Sequence, residues 1–138
     1  MAKIKYPKII VDEYTSPIEA TARPDASIDD CHSIIKEKGY RHLPISNDEG
    51  QTIVGLLSQR DINLFMDNVW EDAPMKAEHI MRTNLYIVDY DSPLEEVVFQ
   101  LSDRKIGSAL VRDESGSVSG IFTTTDAMNA LIDLLHRQ

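Results

Sequence analysis

Two stretches of this chain place a hydroxyl residue three positions before an aspartate, in each case directly after a glycine and two apolar residues. The stretches are residues 55–61, with Ser58 and Asp61, and residues 120–126, with Thr123 and Asp126. A carboxylate is an acceptor-only group that suits the two hydroxyls of a vicinal diol. A hydroxyl at a helix start, beside free backbone N–H groups, suits a phosphate. The pattern is therefore a candidate for binding a ligand with a diol and a phosphate, and it occurs twice.

The same spacing is also typical of a helix start. A Ser or Thr at the N-cap accepts a hydrogen bond from the backbone N–H three residues later, and an acidic residue at that position returns the bond. Helix caps are common and diol sites are rare, so the spacing alone favours capping. The duplicated context strengthens the ligand interpretation. Both interpretations stay open, because one side chain can serve both roles at different times.

The two stretches close two copies of one repeat, whose elements must position them. Ile28 aligns with Leu94, which lies 66 positions later (94 minus 28), and we call this separation the repeat offset. Asp61 aligns with Asp126 at a separation shorter by one (126 minus 61), so the first copy has one inserted residue, near the turn over residues 47–50. Each copy reads as strand, helix, strand, turn, strand and helix. This order predicts an α/β (α+β) fold of two stacked halves, each a small sheet covered by helices.

The second copy shows its elements most clearly. Strands are predicted over residues 85–88, 106–111 and 118–122, and the last helix over residues 126–135. Ser92 is predicted as the N-cap of the intervening helix, with Pro93 at its first position and Glu95 completing a capping box. The first copy has Ala26 where the second has Ser92, so we expect poorer capping of its helix. Cys31 lies on the apolar face of that helix and is expected to be a buried structural thiol.

Composition limits the classes of function. A chain of 138 residues with 42% hydrophobic residues is an ordinary globular protein of one domain, or of two halves that share a core. Its formal net charge of -9 argues against a nucleic-acid or membrane partner. One cysteine, no secretory signal and no apolar run of membrane-spanning length predict a cytoplasmic protein. The sequence carries no metal-ligand spacing, nucleophile motif or cofactor loop, so we expect no enzymatic activity, no metal and no required cofactor.

The two ordered copies resemble a tandem pair of cystathionine-beta-synthase (CBS) domains, also called a Bateman module. The segments that carry the resemblance are residues 39–45 and 55–61 in the first copy, and residues 77–81, 105–111 and 120–126 in the second. The resemblance implies two β-α-β-β-α repeats packed as one module with pseudo-two-fold symmetry. The corresponding domain prediction is an N-terminal arm of residues 1–14, a first repeat of residues 15–66, a linker of residues 67–76 and a second repeat of residues 77–138.

The resemblance also implies a regulatory module that senses cellular energy by binding an adenine nucleotide. AMP, ADP, ATP or S-adenosylmethionine would occupy clefts between the two repeats. The protein would form a homodimer and could regulate a protein partner. On this pattern Asp61 and Asp126 accept hydrogen bonds from the ribose, while Ser58 and Thr123 lie beside the ribose and the phosphate. The residues implied to hold the adenine open the first strand of each copy: Ile18, Ala20, Asn84 and Tyr86.

Basic residues near the first stretch offer positive charge to a phosphate tail. Arg41, His42 and Arg60 are candidates for this role, with ordinary solvated side chains as the alternative. The second copy has Gly107 and Ser108 where the first has Arg41 and His42. Ser108 joins the candidate ligand-binding residues. The asymmetry predicts that two occupied sites would differ in ligand or in affinity.

A different class of function would leave both sites without a nucleotide. In this alternative the chain is a structural dimerisation or protein-interaction module, and Asp61 and Asp126 act only as helix caps. Replacing either aspartate by alanine would then weaken a helix start by about 1 kcal/mol and do nothing else.

Overall fold

The computed structural model of the chain describes residues 8–67 and 75–137. The predictions for residues 1–7 of the arm and residues 68–74 of the linker lie outside these ranges. The strands of the described residues are β1 (Ser16–Pro17), β2 (His42–Ser46), β3 (Ile53–Ser58), β4 (Ile87–Asp89), β5 (Ser108–Arg112) and β6 (Val118–Thr123). Their α-helices are α1 (Ile28–Lys38), α2 (Gln59–Asp67), α3 (Ala77–Ile80), α4 (Leu94–Arg104) and α5 (Thr124–His136), and a 3-10 helix covers Val11–Tyr14.

The chain forms two compact units. We call residues 18–67 and 75–85 the first unit, and residues 8–17 and 86–137 the second unit. The first unit holds a two-stranded sheet of β2 and β3, and the second a four-stranded sheet in the order β1-β6-β5-β4. Each unit has its own buried apolar cluster. The predicted mixed α/β fold with two repeats is confirmed.

The two sheets repeat the same pairings. In the second unit β4 runs parallel to β5, and β6 pairs antiparallel with both β5 and β1. In the first unit β2 and β3 pair antiparallel, and the flanking strands are reduced to single bridges, Ala22 with Ile45 and Leu56 with Arg82. The strand expected at the start of the first copy is therefore one bridged residue.

The inserted residue of the first copy lies in the predicted hairpin loop. Ser46 pairs with Ile53 at the end of the first hairpin, seven positions later (53 minus 46). Arg112 pairs with Val118 at the end of the second hairpin, six positions later (118 minus 112). Each loop contains a glycine with a positive φ, the conformation that glycine adopts without strain.

The segment that leads into each repeat in the sequence belongs to the unit of the other repeat. We call residues 9–17 and residues 75–83, which the repeat offset relates, the leading segments. Residues 9–17 stand at the start of the first copy but lie in the second unit, where Ile10 bridges Pro93. Lys76 precedes the second repeat but lies in the first unit, where it bridges Ser27. The two bridges are equivalent, because the repeat offset relates Ile10 to Lys76 and Ser27 to Pro93. Residues of the predicted arm thus take part in the repeated structural pattern.

Helix α1 packs as its sequence spacing predicts. Ile28, Cys31 and Ile35 recur at helical spacing and are all buried. Burial raises the pKa of the Cys31 thiol to about 11. The thiol is therefore protonated at neutral pH and unreactive, as expected of a structural cysteine.

The capping of the first helix in each copy is the reverse of the prediction. Ser27 caps α1, and its hydroxyl accepts a hydrogen bond from Asp30 N at 3.1 Å. Helix α4 begins at Leu94 and no described side chain caps it, so the capping box predicted from Ser92 is wrong. The reason is the residue at the N-cap position, which is Ser27 in the first copy and Pro93, with no hydroxyl, in the second. A backbone contact is common to both helix starts, since Leu94 N donates to Ile9 O at 2.8 Å and Ile28 N donates to Met75 O at 3.2 Å.

The glycines of the repeated motif lie where a leading segment crosses the sheet. A side chain at Gly120 would collide with Thr15 Cγ2 and would lie 3.4 Å from Ser16 O, and one at Gly55 would collide with Met81. The repeat offset also relates Thr15 to Met81. Both glycines therefore have a packing reason that is independent of any ligand.

Candidate functional site

Two equivalent strand-to-helix junctions hold the predicted hydroxyl and aspartate residues. We call the β3–α2 junction, with Ser58 and Asp61, the first junction, and the β6–α5 junction, with Thr123 and Asp126, the second junction. In both, the hydroxyl accepts a hydrogen bond from the aspartate N–H, and the carboxylate accepts one from the N–H of the hydroxyl residue. Both are capping boxes, as the helix-start interpretation predicts. A ligand role stays open, because a carboxylate has two oxygens.

The second junction leaves one carboxylate oxygen available. Asp126 Oδ2 accepts hydrogen bonds from Thr123 N at 2.8 Å and from Thr123 Oγ1 at 3.1 Å. No described residue donates to Asp126 Oδ1, so this oxygen keeps its acceptor capacity. Ser108 faces Thr123 in the β5–β6 register, and Thr124 N donates to Gly107 O at 3.1 Å. The residues that these contacts place at the second junction are thus uncharged.

At the first junction the aspartate is held by an arginine. Arg82 Nε donates to Asp61 Oδ2 at 3.2 Å, and Arg82 Nη2 donates to Asp61 Oδ1 at 3.1 Å. Ser58 N also donates to Oδ2, at 3.4 Å. Both carboxylate oxygens are therefore engaged by a bidentate ion pair. The residue at the repeat offset from Arg82 is the uncharged Ser16.

The ion pair keeps both partners charged. Partial burial raises the pKa of Asp61, but the hydrogen bonds from Arg82 and Ser58, with the Arg82 charge, outweigh it and hold the pKa below its usual value. The hydrogen bond to Asp61 and its negative charge raise the pKa of Arg82. The Asp61 side chain is 14% exposed and the Arg82 side chain 66% exposed. The carboxylate is thus fixed in the protein, while the guanidinium borders solvent.

His42 lies opposite Ser58 in the β2–β3 register. Its Nδ1 atom is buried and has no hydrogen-bond partner within the described residues. Burial lowers the pKa of His42, the Asp61 charge opposes this effect, and the Arg41 and Arg82 charges reinforce it. The imidazole is therefore largely neutral at pH 7. Positive charge for a phosphate would come from the arginines instead.

Two further arginines flank the first junction. Arg41 is exposed, and its carbonyl accepts a hydrogen bond from Gln59 N, the first residue of α2, at 2.8 Å. Arg60, also exposed, is the second residue of α2. In residues 8–67 and 75–137 neither guanidinium has a hydrogen bond or an ion pair. The equivalent positions of the second junction hold Gly107 and Thr125.

The residues predicted to hold an adenine are not connected to either junction. Within the described part of the chain, no hydrogen bond or ion pair joins the junctions to Ile18, Ala20, Asn84 or Tyr86. Tyr86 packs instead against Arg104, whose guanidinium carbon lies 4.6 Å from the ring centroid. Ile18 and Ala20 are half-buried, and Asn84 is exposed. Their role in ligand binding stays a prediction.

Arg82 is the residue of the first junction that sequence reasoning missed. It belongs to the leading segment of the second repeat, and its backbone N and O both bond to Leu56 at 2.9 Å. This pairing brings the guanidinium to Asp61. The signal available in the sequence is the repeat offset, which aligns Arg82 with Ser16 and so marks a charge that one copy has and the other lacks.

The described residues meet the requirements of neither a metal site nor a membrane-spanning helix. Across residues 8–67 and 75–137, no three His, Cys, Asp or Glu side chains are grouped so that they could hold a metal ion. None of the helices in these ranges is both long enough and apolar enough to cross a bilayer.

The chain matches a protein-family model along most of its length. The family model described as "CBS domain" matches residues 10–67 and residues 77–133. Among curated relatives, the magnesium and cobalt efflux protein CorC of Salmonella typhimurium is 24% identical over 112 residues, which are 81% of this chain. The match spans 37% of the length of CorC, so the similarity concerns only one part of that protein.

Solved structures share the fold along most of the chain. The CBS domain pair of protein MJ0100, in complex with 5'-methylthioadenosine and S-adenosyl-L-methionine, is 27% identical with a TM-score of 0.78, and the match covers 91% of this chain and 97% of that one. The CBS domain of a bacterial CNNM/CorC family Mg2+ transporter, in complex with ATP, is 23% identical with a TM-score of 0.78, and the match covers 89% and 87%. At this lower identity the second similarity is one of fold alone.

Proposed function

Because this chain belongs to the CBS domain family, with one CBS domain in each matched segment, we propose that it is a regulatory, non-catalytic module that binds an adenosine-containing ligand. The observation that carries the proposal is the free Oδ1 of Asp126 beside the N-terminus of α5. An acceptor with unused capacity suits a ribose hydroxyl, and the adjacent helix N–H groups suit an anion. The MJ0100 pair, whose structure contains two adenosyl compounds, supports this ligand class.

The arrangement separates the capping and binding roles of the carboxylate. Asp126 Oδ2 keeps the cap of α5, while Oδ1 accepts a hydrogen bond from the ribose. AMP, ADP, ATP and S-adenosylmethionine are the candidate ligands. A regulatory effect on a protein partner then requires that the ligand bind one state of the protein more tightly than another.

Self-association is a second function that a specific observation favours. Four large apolar side chains of α5 are between 47% and 59% exposed: Met128, Leu131, Ile132 and Leu135. Their spacing of three, four and seven positions places them on one face of the helix. Because contiguous exposed apolar patches mark interaction surfaces, we propose that this stripe forms a homodimer interface.

Calorimetric titration with AMP, ADP, ATP, S-adenosylmethionine and 5'-methylthioadenosine tests the ligand proposal. We expect at least one of them to bind with a micromolar Kd. Asp126→Asn should weaken binding at the second junction about tenfold or more, because a neutral amide replaces the charged acceptor of the ribose hydroxyls.

Asp103→Asn is the matched control, since it removes the same charge from an exposed position of α4 and should bind like the wild type. Thr123 remains the N-cap, and the amide oxygen of Asn can still accept the hydrogen bond from Thr123 N, so circular dichroism should show that Asp126→Asn keeps its helices. Binding of none of these ligands would refute the ligand proposal. Binding that is unaffected in both Asp61→Asn and Asp126→Asn would refute its placement at the junctions.

A further inference from the structure

The two junctions share their cap geometry and differ in the charge around it. Positions that carry basic side chains at the first junction carry uncharged residues at the second. The basic residues are Arg41, His42, Arg60 and Arg82, and their counterparts are Gly107, Ser108, Thr125 and Ser16. Both junctions have the same reciprocal backbone bonds. A difference in ligand preference would therefore come from charge and not from fold.

The ion pair with Arg82 leaves Asp61 too little acceptor capacity for a diol. A carboxylate has about four lone-pair positions on its two oxygens. Arg82 occupies one on each oxygen, and Ser58 N occupies a second one on Oδ2. One position remains, on Oδ1, whereas a ribose diol donates two hydrogen bonds. Arg82 must leave Asp61 before the diol can bind in full.

An anionic ligand offers Arg82 an alternative ionic partner to Asp61. The guanidinium is 66% exposed and sits on a flexible stem, so it is the partner that can move. A phosphate offers it a bidentate acceptor of the same kind as the carboxylate. An uncharged nucleoside offers none, and it would leave the Arg82 guanidinium without an ionic partner.

We propose that Arg82 is a latch that makes the first junction selective for phosphorylated adenosine ligands over uncharged ones. The inference rests on the proposed function, because it assumes that the junctions bind adenosine-containing ligands. Without ligand, Arg82 pairs with Asp61. With a nucleotide bound, Arg82 pairs with the phosphate and Asp61 accepts the ribose hydroxyls. The second junction, with Ser16 in place of Arg82, has no such latch.

Calorimetry with AMP and adenosine tests the latch in Asp126→Asn, which keeps the carboxylate of the first junction only. We expect this variant to bind AMP about tenfold more tightly than adenosine, or better. Adding Arg82→Ser, which installs the residue of the other copy, should strengthen adenosine binding about tenfold and weaken AMP binding, because competitor and phosphate partner are lost together. The preference for AMP should therefore collapse.

Arg41→Ser in the same background is the matched control. It removes a guanidinium of the same cluster that has no ion pair with Asp61. It should weaken AMP binding without strengthening adenosine binding. Loss of the latch, in contrast, should weaken AMP binding and strengthen adenosine binding. Arg82→Lys keeps the charge without the bidentate geometry and should give an intermediate preference.

Two outcomes would overturn the latch while the proposed function stands. One is an adenosine affinity that neither Arg82→Ser nor Arg82→Lys changes, in variants that melt like their parent. The other is a wild type that binds AMP, combined with an Asp126→Asn background that binds neither probe with or without Arg82. A wild type that binds no adenosine ligand would instead refute the proposed function.

Discussion

Residues of the same type have different roles in the two copies. Asp61 and Asp126 complete the same capping box, yet Arg82 donates to both oxygens of Asp61, whereas Asp126 keeps a free oxygen. Ser27 and Ser92 stand near equivalent helix starts, yet only Ser27 caps one. In the first comparison a tertiary contact sets what the side chain does. In the second the position does, because Ser92 stands one residue before the N-cap Pro93.

The two serines make a direct test at this scale. Ser27→Ala should lower the free energy of unfolding by about 1 kcal/mol, because it removes the acceptor for Asp30 N. Ser92→Ala should change it by less than about 0.5 kcal/mol, since no described group bonds to that hydroxyl. Urea denaturation followed by circular dichroism measures both. Equal losses in the two variants would contradict this assignment of the caps.

Sequence separation decides which site residues could be predicted. The caps at Ser58 and Thr123 follow from spacing, because a capping box involves residues only three positions apart. Arg82 lies 21 positions from Asp61, and its contact depends on the register between a leading segment and β3. Side-chain patterns within one element carry no information about that register.

Secondary-structure elements show how far the two copies have diverged. The missing first strand of the first copy has a compositional reason. Ala20, Thr21 and Ala22 stand where the second copy has Tyr86, Ile87 and Val88. Aromatic and β-branched side chains favour strands more strongly than alanine, so only the second copy completes β4. The order of elements alone could not reveal this difference.

The crossing of a leading segment over β6 can be tested with one added methyl group. Gly120→Ala should cost about 1–3 kcal/mol of unfolding free energy, because the new Cβ collides with Thr15 Cγ2. Thr15→Ser removes that methyl and keeps the hydroxyl, which donates to Val11 O at 2.8 Å. The double variant should therefore recover part of the loss. Strictly additive effects in a double-mutant cycle measured by urea denaturation would show that the two groups do not meet.

At the scale of the whole molecule, helix α5 exposes large apolar side chains that lie outside the buried clusters of the described residues. The α5 stripe has this property, while Ala130 on the same helix is buried in the core of the second unit. A helix that is apolar on two faces requires a second contact surface to keep both out of water.

Sedimentation equilibrium tests the homodimer. We expect the wild type to sediment as a dimer and Ile132→Glu as a monomer, because a buried unpaired carboxylate opposes association. Asn129→Glu, an exposed position of the same helix outside the stripe, should leave the dimer intact. A monomeric wild type at high protein concentration would contradict the proposal.

The exchange of leading segments also orders the events of biosynthesis. Ile10 can form its bridge only after Pro93, in the second repeat, has been synthesised. Ser27 needs only Lys76, at the end of the linker between the repeats. On the ribosome the first unit has all its residues once residue 85 has emerged, while residues 8–17 have emerged long before the β-strands they join. Until then this segment is an unpaired strand edge, and a neighbouring copy of the chain can capture it. High expression should therefore favour strand-exchanged oligomers over correctly folded protein.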